Sequence, residues 1–135
     1  MTPDVDSAED MVGRRFGDGA LLIQKKLGQG GMGSVYLALD EANARPVAIK
    51  FLRPERFVDK EMVTRFKREG RKFAGVRHDN VVRVYALGRE HGLLYIASEF
   101  VDGRNLFQCL EQDGPFAPEE ALRVTKDVAL GLHEA

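Results

Sequence analysis

The feature that most constrains this sequence is the glycine-rich stretch Gly28-Gln29-Gly30-Gly31-Met32-Gly33-Ser34-Val35. Its four glycines let the backbone adopt positive φ angles and bring N–H groups close to a ligand that side chains would otherwise block. A phosphate group is the ligand best suited to such a loop. Three folds use this glycine spacing, and a flexible turn can carry it without any ligand, so the flanking sequence must distinguish them.

The residues on both sides of the stretch have the period of two that is typical of strands. A first strand is predicted over residues 21–27, with Leu21, Ile23 and Lys25 on one face, and a second over residues 35–39. A strand-to-strand loop disfavours a dinucleotide site, in which the glycines open a helix and an acidic residue follows about 20 positions later. No Gly-Lys-Ser/Thr follows the glycines, so the P-loop is excluded.

The remainder of the chain alternates strand and helix signals. A third strand over residues 46–52 contains Val47-Ala48-Ile49-Lys50, and further strands are predicted over residues 81–87 and 93–100. The apolar stripe of residues 60–74 predicts a helix, with Glu69 at the border of the stripe. The segment Pro115-Phe116-Ala117-Pro118-Glu119-Glu120 is predicted to start another helix, with proline and acidic residues in its first turn.

These motifs, in this order, resemble those of the protein kinases, which carry a glycine loop and then Val-Ala-Ile-Lys on the third strand. The run from Gly30 to Ala38 is similar to bacterial serine/threonine kinases of the eukaryotic type. The resemblance spans residues 16–135 and implies an α+β fold. The expected fold is a kinase N-lobe of five antiparallel strands with the αC helix, followed by the hinge, αD over residues 106–112 and part of αE. The expected boundaries are a flexible acidic leader over residues 1–12, the N-lobe over 13–100 and C-lobe elements over 101–135.

The resemblance also implies an ATP site. Lys50 and Glu69 match the catalytic ion pair of the family, and Ser98 falls at the gatekeeper position, where it is smaller than the usual residue. The implied nucleotide-binding positions are Leu27, Gly28, Gln29, Gly30, Gly31, Met32, Gly33, Ser34, Val35, Ala48, Lys50, Ser98, Glu99, Val101 and Asn105. At Glu99 and Val101 the backbone is the expected contact with the base.

Plainer roles compete with these assignments. Lys50 could point to solvent from a sheet edge, and Glu69 could be one of several solvated charges on its helix, Glu61 among them. Asn105 is equally suited to capping a helix N-terminus. Gly70 costs its helix about 1 kcal/mol relative to alanine, and it could permit either a helix shift or close packing.

Composition excludes several classes of function. The net charge of −1 gives no general reason to expect nucleic acid, and the basic stretch over residues 56–77 is typical of a solvated helix face. No apolar run reaches the roughly 20 residues of a membrane span, and the acidic N-terminus lacks the features of a signal peptide, so a cytoplasmic protein is expected. The single cysteine, Cys109, excludes an internal disulfide, and no metal site is expected from the widely spaced histidines.

The resemblance implies an ATP- and Mg-dependent serine/threonine protein kinase that acts on a protein substrate. The aspartate that orients the substrate hydroxyl and the magnesium ligands are expected beyond Ala135, so the 135-residue piece is expected to bind nucleotide weakly and not to catalyse. The alternative is a non-catalytic interaction module. It would form a homodimer through the N-lobe or the exposed apolar face of αE.

Overall fold

The computed structural model describes residues 11–29, 33–52 and 59–135. Its strands are β1 (Arg15–Phe16), β2 (Leu21–Gln29), β3 (Ser34–Asp40), β4 (Arg45–Phe51), β5 (Val84–Glu90) and β6 (Leu93–Glu99). Its helices are α1 (Lys60–Ala74), α2 (Leu106–Asp113) and α3 (Pro118–Glu134).

The strands form one antiparallel sheet in the order β1-β2-β3-β4-β6-β5. The predicted α+β architecture is confirmed: a sheet, the helix α1 in the place expected for αC, and two following helices. The sixth strand was not predicted: it is the two-residue β1, in which Arg15 and Phe16 pair with Leu22 and Leu21. Two residues are too few to show a periodic pattern, so only tertiary pairing defines this strand.

One face of the sheet carries the larger apolar core. Alternate residues of β4, namely Val47, Ile49 and Phe51, are at most 5% exposed and point to this face. Phe16 covers it, with its ring centroid 4.9 Å from that of Phe51. Met11, which the sequence places in the acidic leader, is 2% exposed in the same core, so the ordered packing includes residues before β1.

Helix α1 packs on the opposite face. Phe66 is fully buried there with Leu52, Leu94 and Ile96. A Cβ atom on Gly70 would lie 3.2 Å from a methyl carbon of Leu87 and 3.3 Å from Ile96. Gly70 therefore sits at the closest approach of α1 to β5 and β6, which supports the close-packing role.

Two strands differ from the sequence prediction. A bulge between Ile23 and Lys25 changes the register of β2, because Ile23 faces Ala38 while Lys25 faces Leu37. Lys25 therefore does not share a face with Leu21 and Ile23, and that prediction is wrong. The fourth predicted strand is also displaced, to Val84–Glu90, because the N–H of Val81 donates to His78 O in a turn.

The carboxylate of Glu90 joins the two ends of the sheet. It accepts hydrogen bonds from the backbone N–H groups of Gly17 and Asp18, in the turn after β1, and from the hydroxyl of Tyr95. Partial burial raises the pKa of Glu90, but the hydrogen bonds outweigh this and leave it below its ordinary value. Burial and the bond to Glu90 raise the pKa of Tyr95 to about 12. Gly88 makes room for this arrangement, since a Cβ atom there would lie 2.4 Å from the Tyr95 ring.

The lowered pKa of Glu90 makes its contribution to stability depend on pH. A group with a depressed folded pKa stabilises the fold above its unfolded pKa, near 4.5, and loses this effect as the pH falls through the folded pKa. We expect Glu90→Gln to lower the free energy of unfolding by about 1–2 kcal/mol at pH 7. The deficit should shrink as the pH falls below about 4.5. Urea unfolding across pH measures it, and a deficit that stays constant with pH would contradict the assignment.

Candidate functional site

The pairing of the central strands collects the predicted site residues on the face of the sheet that α1 covers in part. Directly paired residues of antiparallel strands share a face. Val35 pairs with Lys50, and Ala48 pairs with Ser98. The hydroxyl of Ser98 is 3.5 Å from Ala48 O. All four are on the face opposite Val47 and its core neighbours, because strand residues alternate.

Lys50 and Glu69 form an ion pair across this face. Lys50 Nζ lies 3.2 Å from Glu69 Oε1 and 3.3 Å from Oε2. The side chains are 27% and 38% exposed, so the pair is only partly shielded from solvent. Gly70, the next residue of α1, packs closely against Leu87 and Ile96 of the sheet. The predicted contact is confirmed, while its role in nucleotide binding remains a prediction.

The plainer roles proposed for these two residues do not hold. Lys50 lies in β4, which has β3 and β6 on its two sides, so it is not at a sheet edge. Glu61, the other acidic candidate on α1, is paired with Arg65 at 3.1 Å on the exposed side of the helix. The helix register therefore selects Glu69 alone of the two for contact with Lys50.

The two ends of the glycine-rich stretch pair with each other. Gly28, on β2, pairs with Val35, and Gln29 pairs with Ser34, on β3. The predicted positions Gly30, Gly31 and Met32 lie outside the described residues. Gly33 and Ser34 are buried at the start of β3. Leu27, the predicted adenine contact, lies in a second bulge of β2 and is 41% exposed.

The last residue of β6 and the start of α2 have defined hydrogen-bond partners. The backbone N–H of Glu99 donates to Arg83 O at 2.8 Å, and its carboxylate accepts from the backbone N–H of Arg83. Val101 is 60% exposed. The side chain of Asn105 accepts from Gln108 N at 2.8 Å and caps α2, with Gln108 bonding back to the Asn105 N–H. The capping role of Asn105 is thus confirmed.

A cavity of about 380 Å³ lies behind Ser98 and the ion pair. Phe73 of α1 and residues of α3, among them Val128, Leu132 and Gly131, line it. Helix α3 reaches this position through Gly131, where a Cβ atom would lie 2.8 Å from Asn80 O. Sequence reasoning missed these α3 residues. The glycine within the apolar stripe of α3 was the available signal, since it permits close backbone contact.

The described part of the chain contains no group of three or more histidine, cysteine, aspartate or glutamate side chains placed to hold a metal ion. Within those same residues, no helix has the length and apolar character that a membrane span requires.

Comparison with known proteins agrees with this geometry. The protein kinase domain model matches residues 21–134, and the chain belongs to this family. The chain is 37% identical over 125 residues to the serine/threonine-protein kinase PrkC of Bacillus subtilis, covering 93% of this chain and 19% of PrkC. It is 37% identical over 111 residues to PknB of Mycobacterium leprae, covering 79% of this chain and 18% of PknB.

Solved structures show the same fold. The crystal structure of the Mycobacterium tuberculosis PknI kinase domain superposes with a TM-score of 0.77 at 30% identity. The superposition covers 89% of this chain and 48% of that kinase domain. The chain therefore spans about half of a solved kinase domain and about a fifth of the length of PrkC.

Proposed function

We propose that this chain is the ATP-binding part of a serine/threonine protein kinase that transfers the γ-phosphate of ATP to a protein. The observation that carries the proposal is the Lys50–Glu69 ion pair on the same sheet face as Ala48 and Ser98. The names of the relatives support the reaction class. Because ATP is the substrate, we infer a cytoplasmic location for this domain.

Each proposed contact follows from the position of its residue. The Lys50 ammonium would bind the α- and β-phosphates, and Glu69 would hold it in place. The adenine would lie against Leu27, Val35 and Ala48. The N–H groups of the glycine-rich stretch, Gly28 to Ser34, would cover the phosphates.

The end of β6 and the residues that follow it supply the remaining proposed contacts. The backbone carbonyl of Glu99 and the N–H of Val101 would bind the edge of the base. Asn105 uses its side-chain oxygen to cap α2, so its amide NH₂ is the part left to donate to the ribose.

Phosphoryl transfer also needs Mg²⁺ ligands and an aspartate that orients the acceptor hydroxyl. The described residues offer no carboxylate cluster for the metal. We therefore propose that the 135-residue polypeptide by itself binds ATP weakly and does not transfer phosphate.

Nucleotide titration tests the central assignment. We expect MgATP to bind the 135-residue polypeptide with a Kd above about 1 μM, and Lys50→Met to weaken this at least tenfold, equivalent to about 1.4 kcal/mol. Lys126→Met is the matched control, because Lys126 is an exposed lysine of α3. Isothermal titration calorimetry measures both. Equal affinity in the Lys50 and Lys126 variants, or sub-micromolar binding, would contradict the proposal.

The small Ser98 side chain should admit large ligands. Ser98 borders both Ala48 and the cavity behind it, so an adenine analogue with a bulky substituent can extend into that space. We expect Ser98→Met to weaken binding of such an analogue about tenfold and to leave ATP affinity within about twofold. Competition against a fluorescent nucleotide measures both affinities. Equal or tighter binding of the analogue to the variant would reject this use of the cavity.

Self-association is a second candidate role, favoured by apolar side chains on α3. Leu122 and Leu132 are 72% and 69% exposed, although both are apolar residues of an amphipathic helix. Exposed apolar faces of this kind favour association with a partner surface. We propose that the 135-residue polypeptide forms a homodimer through α3.

Light scattering tests the dimer. The molar mass should rise towards that of a dimer as concentration increases over about two orders of magnitude. Leu122→Lys combined with Leu132→Lys should return the mass to that of a monomer, while Arg123→Gln on the same helix should not. A monomer at every concentration would refute this role.

A further inference from the structure

Part of the solvent side of α1 is basic. Thr64, Lys67, Arg68, Arg71 and Lys72 line one shallow concavity there. Their spacing of three, four, seven and eight residues from Thr64 places them along one helix face. The buried residues of α1, Phe66 and Gly70, are on the opposite side. We call these five residues the basic face of α1.

The charges of the basic face are not neutralised within the described residues. No ion pair there involves its four cations, whereas Arg65 of the same helix is paired with Glu61. Like charges four residues apart, such as Lys67 and Arg71, destabilise a helix. Arg71 and Lys72 lie in the last turn of α1, where the helix dipole favours cations and offsets part of this repulsion.

Helix α3 carries an exposed face on which opposite charges alternate. There Arg123 lies 3.3 Å from Glu120 and 3.8 Å from Asp127, so opposite charges are interleaved. Helix α1 has no such interleaving on its basic face. An anionic partner would remove the repulsion that the sequence leaves in place.

We propose that the basic face of α1 binds an acidic, extended peptide segment of a partner protein. Thr64 and Lys72 are separated by about 12 Å along the helix, the length of about four residues of extended chain. A run of four or more residues rich in Asp or Glu therefore matches it. Double-stranded nucleic acid fits less well, because the net charge of the whole chain is −1 and the basic face is one helix wide.

The basic face is separate from the nucleotide site. Lys50 contacts Glu69 on the sheet side of α1, whereas the four cations point away from the sheet. Peptide binding should therefore persist in Lys50→Met, and it does not depend on the proposed kinase function.

Fluorescence anisotropy with the 135-residue polypeptide tests the proposal. The probe is a fluorescein-labelled octapeptide with four glutamates, and the control peptide carries glutamines in their place. We expect Arg68→Gln combined with Arg71→Gln to weaken binding of the acidic peptide about fivefold, as the loss of two partly exposed ion pairs implies. Arg68→Lys combined with Arg71→Lys should retain binding. Circular dichroism checks that each variant is folded.

The matched control is Lys25→Gln combined with Lys126→Gln, which makes the same change in net charge at exposed positions of β2 and α3. It should change the affinity less than twofold. Equal weakening by both double variants would show an effect of net charge alone and overturn the proposal. So would tighter binding of duplex DNA or of vesicles containing phosphatidylserine than of the acidic peptide, and so would equal binding of the glutamine peptide.

Discussion

The antiparallel pairing of β4 with β3 and β6 is the constraint on which the rest of the structure depends. It directs Val47, Ile49 and Phe51 into the larger core and leaves Ala48 and Lys50 on the other face. A shift of one residue would exchange the two sets, burying a lysine in the apolar core. The hydrophobic alternation of β4 thus fixes both the stability of the sheet and the location of the site.

The buried side and the solvent side of helix α1 have different roles. Its buried side contacts the sheet through Phe66 and Gly70, and Gly70 packs closely against Leu87 and Ile96. Its solvent side carries the basic face, whose cations form no ion pair with the described residues. A glycine in a helix costs about 1 kcal/mol relative to alanine, and here it stands where the helix packs on the sheet, next to Glu69.

Helices α2 and α3 contribute no apolar side chain to the buried core. The capping box at Asn105 starts α2, and Asn80 Nδ2 donates to Asp127 O where Gly131 lets α3 approach. Much of the apolar surface of α3 stays exposed, Leu122 and Leu132 above all. Family membership rests on residues 21–134, while the relatives extend well beyond the length of this chain.

Sequence alone determined the order of the helices and of the strands from β2 onwards, the position of the glycine-rich stretch between two strands, and Lys50 with Glu69 as partners, because each leaves a local pattern: a period of two, a helical stripe or a motif at fixed spacing. The tertiary structure alone decided the two-residue β1, the two bulges of β2, one of which reorients Lys25, and the inclusion of Met11 in the core. These depend on which distant backbone groups pair. Local periodicity carries no information about such pairing.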